Sequence, residues 1–189
     1  LEKLLLGIPN IIVVATSRYH DIASMLKCAV ALDQPVIFIE NKQMYAHLND
    51  YPINGWINQF AVRETVGNFP ALTLSPANFN SAQWTIVTYG GSATIVLEAA
   101  RQLILDHDVI CEVVILSSLQ PMDISPVLES VERTGRLLAL EEGVSIAGIV
   151  TEIISQVVSK AWTSLKVAPR RIGSLLVSIP AAPNLEKTV

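Results

Sequence analysis

Cysteine is scarce in this 189-residue chain: there are two, Cys28 and Cys111, with no CxxC pair and no histidine at ligand spacing. Isolated cysteines in apolar surroundings behave as small buried hydrophobes, so a disulfide framework and a thiolate metal site are both excluded. A cytoplasmic location is the expectation that follows. Charge is also sparse, at 16% of residues, and basic clusters are missing; Arg170-Arg171 is the densest basic spot in a chain of net charge −4. Nucleic-acid binding needs clustered Lys and Arg to neutralise phosphates, so that class is set aside. Apolar runs such as Val113 to Leu116 are far too short to span a bilayer, and no secretory signal opens the chain. Catalytic signatures are wanting as well: HExxH, GxSxG, GxGxxG and the P-loop lysine do not occur.

What the chain has in quantity is apolar material, 51% of residues, enough for one sizeable core or for a domain plus part of another. It opens on Leu1 inside a helical pattern and is expected to be a piece of a longer protein. Ile11 to Val14 is a short β-branched run after the turn pair Pro9-Asn10 and reads as a buried strand. Apolar residues at Ile22, Met25, Leu26, Ala29 and Val30 give a helix between Tyr19 and Leu32 with one core-facing stripe. Pro35 ends it, because the residue before proline is pushed out of the helical region, and Val36 to Ile39 is a second strand. Strand, helix and strand in so short a span make a parallel βαβ unit.

Residues 46 to 83 scatter Asn, Pro, Gly and aromatic residues without sustained period, and read as a linker carrying one short strand. Regular alternation resumes with strands at Trp84 to Tyr89, Val109 to Leu116, Arg136 to Leu140 and Arg171 to Val177. Helices lie between them at Ala93 to Leu105, from Ser125, and from Ile146 to about Trp162. Ser125 is the expected cap of the second of these, with Pro126 in its first turn. This order predicts an α/β fold with an open, doubly wound, mostly parallel sheet. The domain boundaries expected are 1–45, 46–83 and 84–189, with an extended tail from Ile179 through Pro180 and Pro183.

Few residues carry chemistry. Gly90-Gly91-Ser92, between strand and helix, is either a tight turn or an anion cradle at a helix start. Ser24-Met25-Leu26-Lys27 matches the SxxK nucleophile pair but lies in an ordinary amphipathic helix. Glu141-Glu142-Gly143 follows a strand at its carboxyl end, where ligands and partners gather in open α/β sheets. Consecutive residues on an extended chain point apart, so at most one of these carboxylates faces any site. The other reading is one carboxylate accepting backbone hydrogen bonds in the crossover loop. His20, His47 and His107 share no spacing and are expected in solvent.

Read in order, several segments resemble the beta subunit of the decarboxylating component of 2-oxo acid dehydrogenases, a branch of the transketolase superfamily. Gly7 to Val14 is similar to that family's PGLKVV strand, and Asp33-Gln34-Pro35-Val36-Ile37-Phe38-Ile39-Glu40-Asn41 to its DNPVVFLEN segment. Val87-Thr88-Tyr89-Gly90, Pro121-Met122-Asp123, Thr134-Gly135-Arg136-Leu137 and Glu141 with Gly143 match later motifs in the same order. The resemblance spares only about residues 46 to 83. It implies that residues 1 to 45 end a thiamine pyrimidine-binding-type domain and that 84–189 form a transketolase carboxy-terminal-like domain.

The resemblance further implies thiamine diphosphate and magnesium in the intact enzyme, held by residues that this chain does not contain, so the chain alone is expected to be inactive. It implies an alpha subunit and an acyltransferase core as partners, and a homodimer. The family's monovalent-cation loop corresponds to Ala29, Val30, Leu32 and Gln34, with Leu32 and Gln34 where Asp and Asn are typical. Its acyltransferase-docking segment corresponds to Trp162 to Pro169, with Lys166 where an acid is expected. Glu141, Glu142, Gly143, Lys166 and Arg170 are the expected partner-facing residues. A truncated first unit should expose apolar surface around Ile11 to Val14 and Val36 to Ile39. The competing readings are a 1-deoxyxylulose-phosphate synthase or transketolase-like transferase, suggested by Glu141-Glu142, and a noncatalytic assembly module.

Overall fold

The computed structural model describes residues 2–46, 50–77, 82–177 and 185. The readings at His47, Ile179, Pro180 and Pro183 lie outside them. The chain opens with β1 (Ile12–Ala15), α1 (Ile22–Ala31) and β2 (Val36–Ile39). The β1 and β2 strands run parallel, with Ile12 opposite Val36 and Ala15 opposite Ile39. The α1 helix starts at Ile22, the first residue of its apolar period, because Asp21 caps it, its carboxylate accepting the Ser24 N–H at 3.0 Å. Ser24 is thus a first-turn residue and no nucleophile pair forms with Lys27.

The linker reading is where the structure differs most. The described residues between 46 and 83 hold three strands rather than one: β3 (Trp56–Ile57), β4 (Phe60–Glu64) and β5 (Leu72–Pro76). They form an antiparallel meander whose last strand pairs with the main sheet, Leu72 opposite Ile115 and Leu74 opposite Val113. Asn54, Gly55 and Asn58 take positive φ at the turns of this meander, which accounts for the Asn- and Gly-rich composition that reads as linker.

The remaining elements are β6 (Trp84–Tyr89), α2 (Ser92–His107), β7 (Cys111–Leu116), β8 (Ser118–Gln120), α3 (Ser125–Thr134), β9 (Leu137–Val144), α4 (Ile149–Ala161) and β10 (Arg170–Ser174). The larger sheet has the order β10-β9-β6-β7-β5-β4-β3, with β10, β9, β6 and β7 parallel. Side chains alternate between its two faces. Ile86, Cys111, Val113 and Ile115 pack under Ala93, Val96, Leu97 and Ala100 of α2. Val87, Val114, Leu116, Leu137 and Ala139 pack under α3 and α4, against Val127, Val131, Ile149, Ile153 and Val157. Helices on both faces of a parallel core make the sheet doubly wound, as the alternation predicts. The Ser125 cap is a correction: Ser125 is inside α3, and it is the Asp123 carboxylate that accepts the Ser125 N–H at 3.0 Å.

The first unit is not left uncovered. In a second sheet of order β2-β1-β8, β1 pairs antiparallel with β8, Val13 opposite Gln120 and Val14 opposite Ser118. Val13 and Ala15 join the core beneath α3 and α4, and Val13 and Val14 have no exposed surface, so the expected apolar exposure at β1 is overturned. The whole of β2 is half-buried.

Candidate functional site

Parallel strands aim their carboxyl ends at one rim of a sheet, and here two sheets do so toward a common cleft. Thr16 follows β1; Glu40, Asn41 and Lys42 follow β2; Gly90 and Gly91 follow β6; and Glu142 and Gly143 lie near the end of β9. These residues, with Glu2, Tyr89 and Ser92, line a cavity of about 340 Å³. The first N–H groups of a helix have no intrahelical partners, and the start of the 16-residue α2, at Gly91 and Ser92, lines this cleft.

Asn41 ties the two units together across it. Its Nδ2 donates to a Glu142 carboxylate oxygen at 3.2 Å, while its Oδ1 accepts the Gln43 N–H at 2.9 Å. The amide lies directly over the start of α2: a Cβ on Gly91 would stand 2.0 Å from Asn41 Nδ2. Gly91 is therefore required by close approach and not by backbone angle, since its φ of −64° suits any residue. Glu40, exposed at the cleft wall, accepts from the Tyr45 hydroxyl at 2.6 Å, which pushes the Tyr45 phenol up.

The paired carboxylates on β9 divide as the pleat requires. Glu142 faces the cleft and solvent. Glu141 points the other way and is 4% exposed, so it is no partner-facing residue. One of its oxygens accepts from the Tyr89 hydroxyl and from the Ile149 N–H, both at 3.1 Å, and so caps the start of α4. The carboxyl is pushed up chiefly by burial, with the Tyr89 and Ile149 hydrogen bonds pulling against it. The Tyr89 phenol is pushed up by burial and by the Glu141 carboxylate beside it. This is the crossover-loop reading of the pair.

The other candidate residues lie apart from the cleft. Lys166 is exposed, but its ammonium donates to the Thr134 carbonyl at 3.1 Å and its stem covers Gly135, so it caps the carboxyl end of α3. Arg170 is exposed at the start of edge strand β10. Of the cation-loop residues, Ala29 is buried, Val30 is 80% exposed, and Leu32 caps α1 with its N–H directed to the Ala29 carbonyl at 3.4 Å. Gln34 is exposed. Leu32 offers no side-chain oxygen, so any cation here would rely on carbonyls. Among the described residues no three His, Cys, Asp or Glu side chains converge as metal ligands.

The structure corrects the sequence reading at His20 and adds Glu112. His20 is wholly buried and not in solvent: its Nδ1 accepts the Ser17 N–H at 3.0 Å. Burial lowers the imidazole to about 4. Glu112 is likewise fully buried on β7, paired with Arg133 of α3. Glu112 carries no signal in sequence because its partner lies 21 residues onward, whereas the hydrogen bond of His20 is local, to Ser17 three residues before it. His107, by contrast, is exposed at the end of α2, and Cys28 and Cys111 are both free thiols. Burial pushes the Cys111 thiol up to about 11. No helix among the described residues is long and apolar enough to cross a membrane.

Comparison with known proteins places this arrangement. The model of the transketolase C-terminal domain matches residues 80–189. The pyruvate dehydrogenase E1 component subunit beta of Rickettsia bellii (strain RML369-C) is 34% identical over 183 residues, 95% of this chain and 51% of that protein. The beta subunit of acetoin:2,6-dichlorophenolindophenol oxidoreductase of Cupriavidus necator is 32% identical over 186 residues, 98% of this chain and 51% of that protein. A solved structure described as a split gene transketolase, inactive beta4 tetramer, shares the fold with a TM-score of 0.67 at 21% identity, over 98% of this chain and 55% of that one. The chain spans about half the length of the curated relatives it matches. With its doubly wound sheet and its match over residues 80–189, the chain belongs to the transketolase C-terminal domain family, alongside the beta subunits of 2-oxo acid dehydrogenase E1 components.

Proposed function

We propose that this chain is the scaffolding and partner-contacting portion of the beta subunit of a thiamine-diphosphate-dependent 2-oxo acid dehydrogenase, and is not catalytic by itself. The observation that carries the reading is similarity to such beta subunits along 95% of the chain, across both the βαβ unit and the transketolase-type domain. In this reading residues 1–45 close a pyrimidine-binding-type domain, 46–83 join it to the next, and 84–189 are the carboxy-terminal domain. Thiamine diphosphate and magnesium belong, in this reading, to the assembled enzyme, and no chemical step is assigned to residues of this chain.

The proposed partners are an alpha subunit, an acyltransferase core and a second copy of the chain, in the cytoplasm. Glu142, Gly143, Lys166 and Arg170 are the accessible members of the expected interface. Lys166 would meet a basic acyltransferase domain with like charge, so docking at that spot should be weak. A monovalent cation at the carbonyls of Ala29, Val30 and Leu32 is a further proposal, to be sought by thallium soaking.

A chimera tests the whole. The matching half of the Rickettsia bellii beta subunit is replaced by this chain, joined to its alpha subunit, and assayed for pyruvate-dependent dye reduction with thiamine diphosphate and magnesium. Recovered turnover supports the reading. Turnover of a 2-oxo acid by the 189-residue chain alone, under the same conditions, would sink the scaffold assignment.

A further inference from the structure

Asn54-Gly55 is the only Asn-Gly pair in the chain, and both residues are exposed in the short helical turn Ile53–Gly55 that leads into β3. Both are left-handed, with φ 65° at Asn54 and 76° at Gly55. Asparagine and glycine hold such angles at low cost, which accounts for the pair structurally. The same pair also sets a nucleophile beside an electrophile. Joining the Gly55 backbone nitrogen to the Asn54 side-chain carbonyl carbon closes a five-membered ring.

Three exposed asparagines take positive φ: Asn10 at 62°, Asn54 at 65° and Asn58 at 51°. They share a backbone conformation and differ in the residue that follows, which is Ile11, Gly55 and Gln59 respectively. A side chain on that residue crowds its nitrogen as it turns toward the asparagine, and Gly55 has none. The turn is also weakly held. The β3 strand is two residues long and lies at the edge of the larger sheet, with Trp56 opposite Ala61 and Ile57 opposite Phe60. A short, solvent-facing edge opens locally at low cost, so Asn54 can leave its ψ of 23° and bring the two atoms together.

We propose that Asn54 is a site of spontaneous deamidation, converted to aspartate and isoaspartate through a cyclic imide. The Gly55 nitrogen attacks Asn54 Cγ. The N–Cγ bond forms, the Cγ–Nδ2 bond breaks, and ammonia departs with the proton of the Gly55 amide. Water then opens the ring at either carbonyl. Opening at Cγ gives aspartate; opening at the main-chain carbon gives isoaspartate, with the backbone rerouted through Cβ and Cγ. Either product adds a negative charge. Isoaspartate also lengthens the path into β3, whose register with β4 is only two pairs long. The site does not depend on which enzyme the chain serves.

The test is incubation of the 189-residue chain in neutral and in mildly alkaline buffer, followed by tryptic peptide mapping. Fragmentation locates each converted asparagine and separates aspartate from isoaspartate. Asn54 should convert at least about tenfold faster than Asn10 or Asn58. Both products should appear, and sooner at the higher pH, because the attacking amide must shed its proton. This comparison is made within one native chain and needs no variant to fold. Gly55→Asn, which keeps a residue tolerant of positive φ, should slow conversion at position 54 by about tenfold or more. Conversion of Asn54 no faster than that of Asn10 and Asn58, or an unchanged rate in Gly55→Asn, would overturn the assignment. Aspartate without isoaspartate would overturn the imide route.

Discussion

Replacing Gly148 by alanine should cost this protein far more than its backbone angles suggest. Gly148 precedes α4 with φ −83° and ψ 172°, an extended conformation that alanine adopts freely, so no strain arises from φ and ψ. The penalty comes from the space its Cβ would need. That atom would stand 1.8 Å from Glu141 Oε1, 2.5 Å from Cδ and 2.6 Å from Oε2. The carboxylate cannot swing aside cheaply, because it is buried and holds the Tyr89 hydroxyl and the Ile149 N–H, each at 3.1 Å. Displacing it forfeits two hydrogen bonds worth about 1 kcal/mol each and leaves a helix-start N–H unpaired, with overpacking strain of about 1–3 kcal/mol besides. The expected loss is about 3 kcal/mol, read as a lower urea midpoint at unchanged m-value. A double-mutant cycle isolates the cause. In a Glu141→Ala background the obstructing atoms are gone, and Gly148→Ala should then cost under about 1 kcal/mol. If it costs as much there as in the native background, or under about 0.5 kcal/mol in both, the steric account is refuted.

His20 supplies a pH dependence: its native value of about 4 lies below the ordinary 6.5, so its contribution is complete above pH 6.5 and is lost as pH falls toward 4. The full loss is about 3 kcal/mol by linkage, and His20→Asn, which keeps an acceptor for the Ser17 N–H, should flatten the stability curve across that window. Glu141 acts with the opposite sign, because its native value is raised: native stability relative to Glu141→Gln should be greatest below pH 4.5 and fall as pH rises. Removing Arg133 leaves Glu112 buried with Arg63 3.9 Å away, so Arg133→Ala should cost about 3 kcal/mol and Arg63→Ala under about 1 kcal/mol by urea melts. Gly91→Ala should push Asn41 off Glu142 at a cost near 1 kcal/mol, because Asn41 is only half-buried and can rotate.

The parallel core was legible because its signals are local. The β-branched runs at Trp84 to Tyr89 and Val109 to Leu116 alternate with helices of period 3.6, and both strands are mostly apolar because both of their faces are covered. The antiparallel meander was not legible for a physical reason. Phe60 to Glu64 and Leu72 to Pro76 are short, separated by a stretch holding Gly67 and Pro70, and become strands by pairing with each other and, for the second, with β7 some forty residues onward. Composition records their turns and not their pairing. The burial of β1 was hidden likewise, since its cover is β8, which follows β7 after a single residue and reads in sequence as a loop.

The site divides along the same line. That Glu141 and Glu142 cannot share a target follows from the pleat, and the structure sends one into the helix start and the other into the cleft. Which carboxylate goes where depends on Tyr89 and Gly148, respectively 52 and 7 residues away, and one of these is invisible from β9 alone. Gly90-Gly91-Ser92 reads in sequence as a turn or an anion cradle because the two differ only in what stands opposite. What stands opposite is Asn41, from the other unit. A glycine kept for its turn tolerates no change of φ, whereas Gly91 has helical φ and takes an added atom only if Asn41 moves away. The distinction is measurable: Gly91→Ala combined with Asn41→Gly should recover the stability that Gly91→Ala loses beyond the loss of the Asn41 bond itself. If the pair is no better than the sum of the two single changes, Asn41 is not what holds position 91 to glycine.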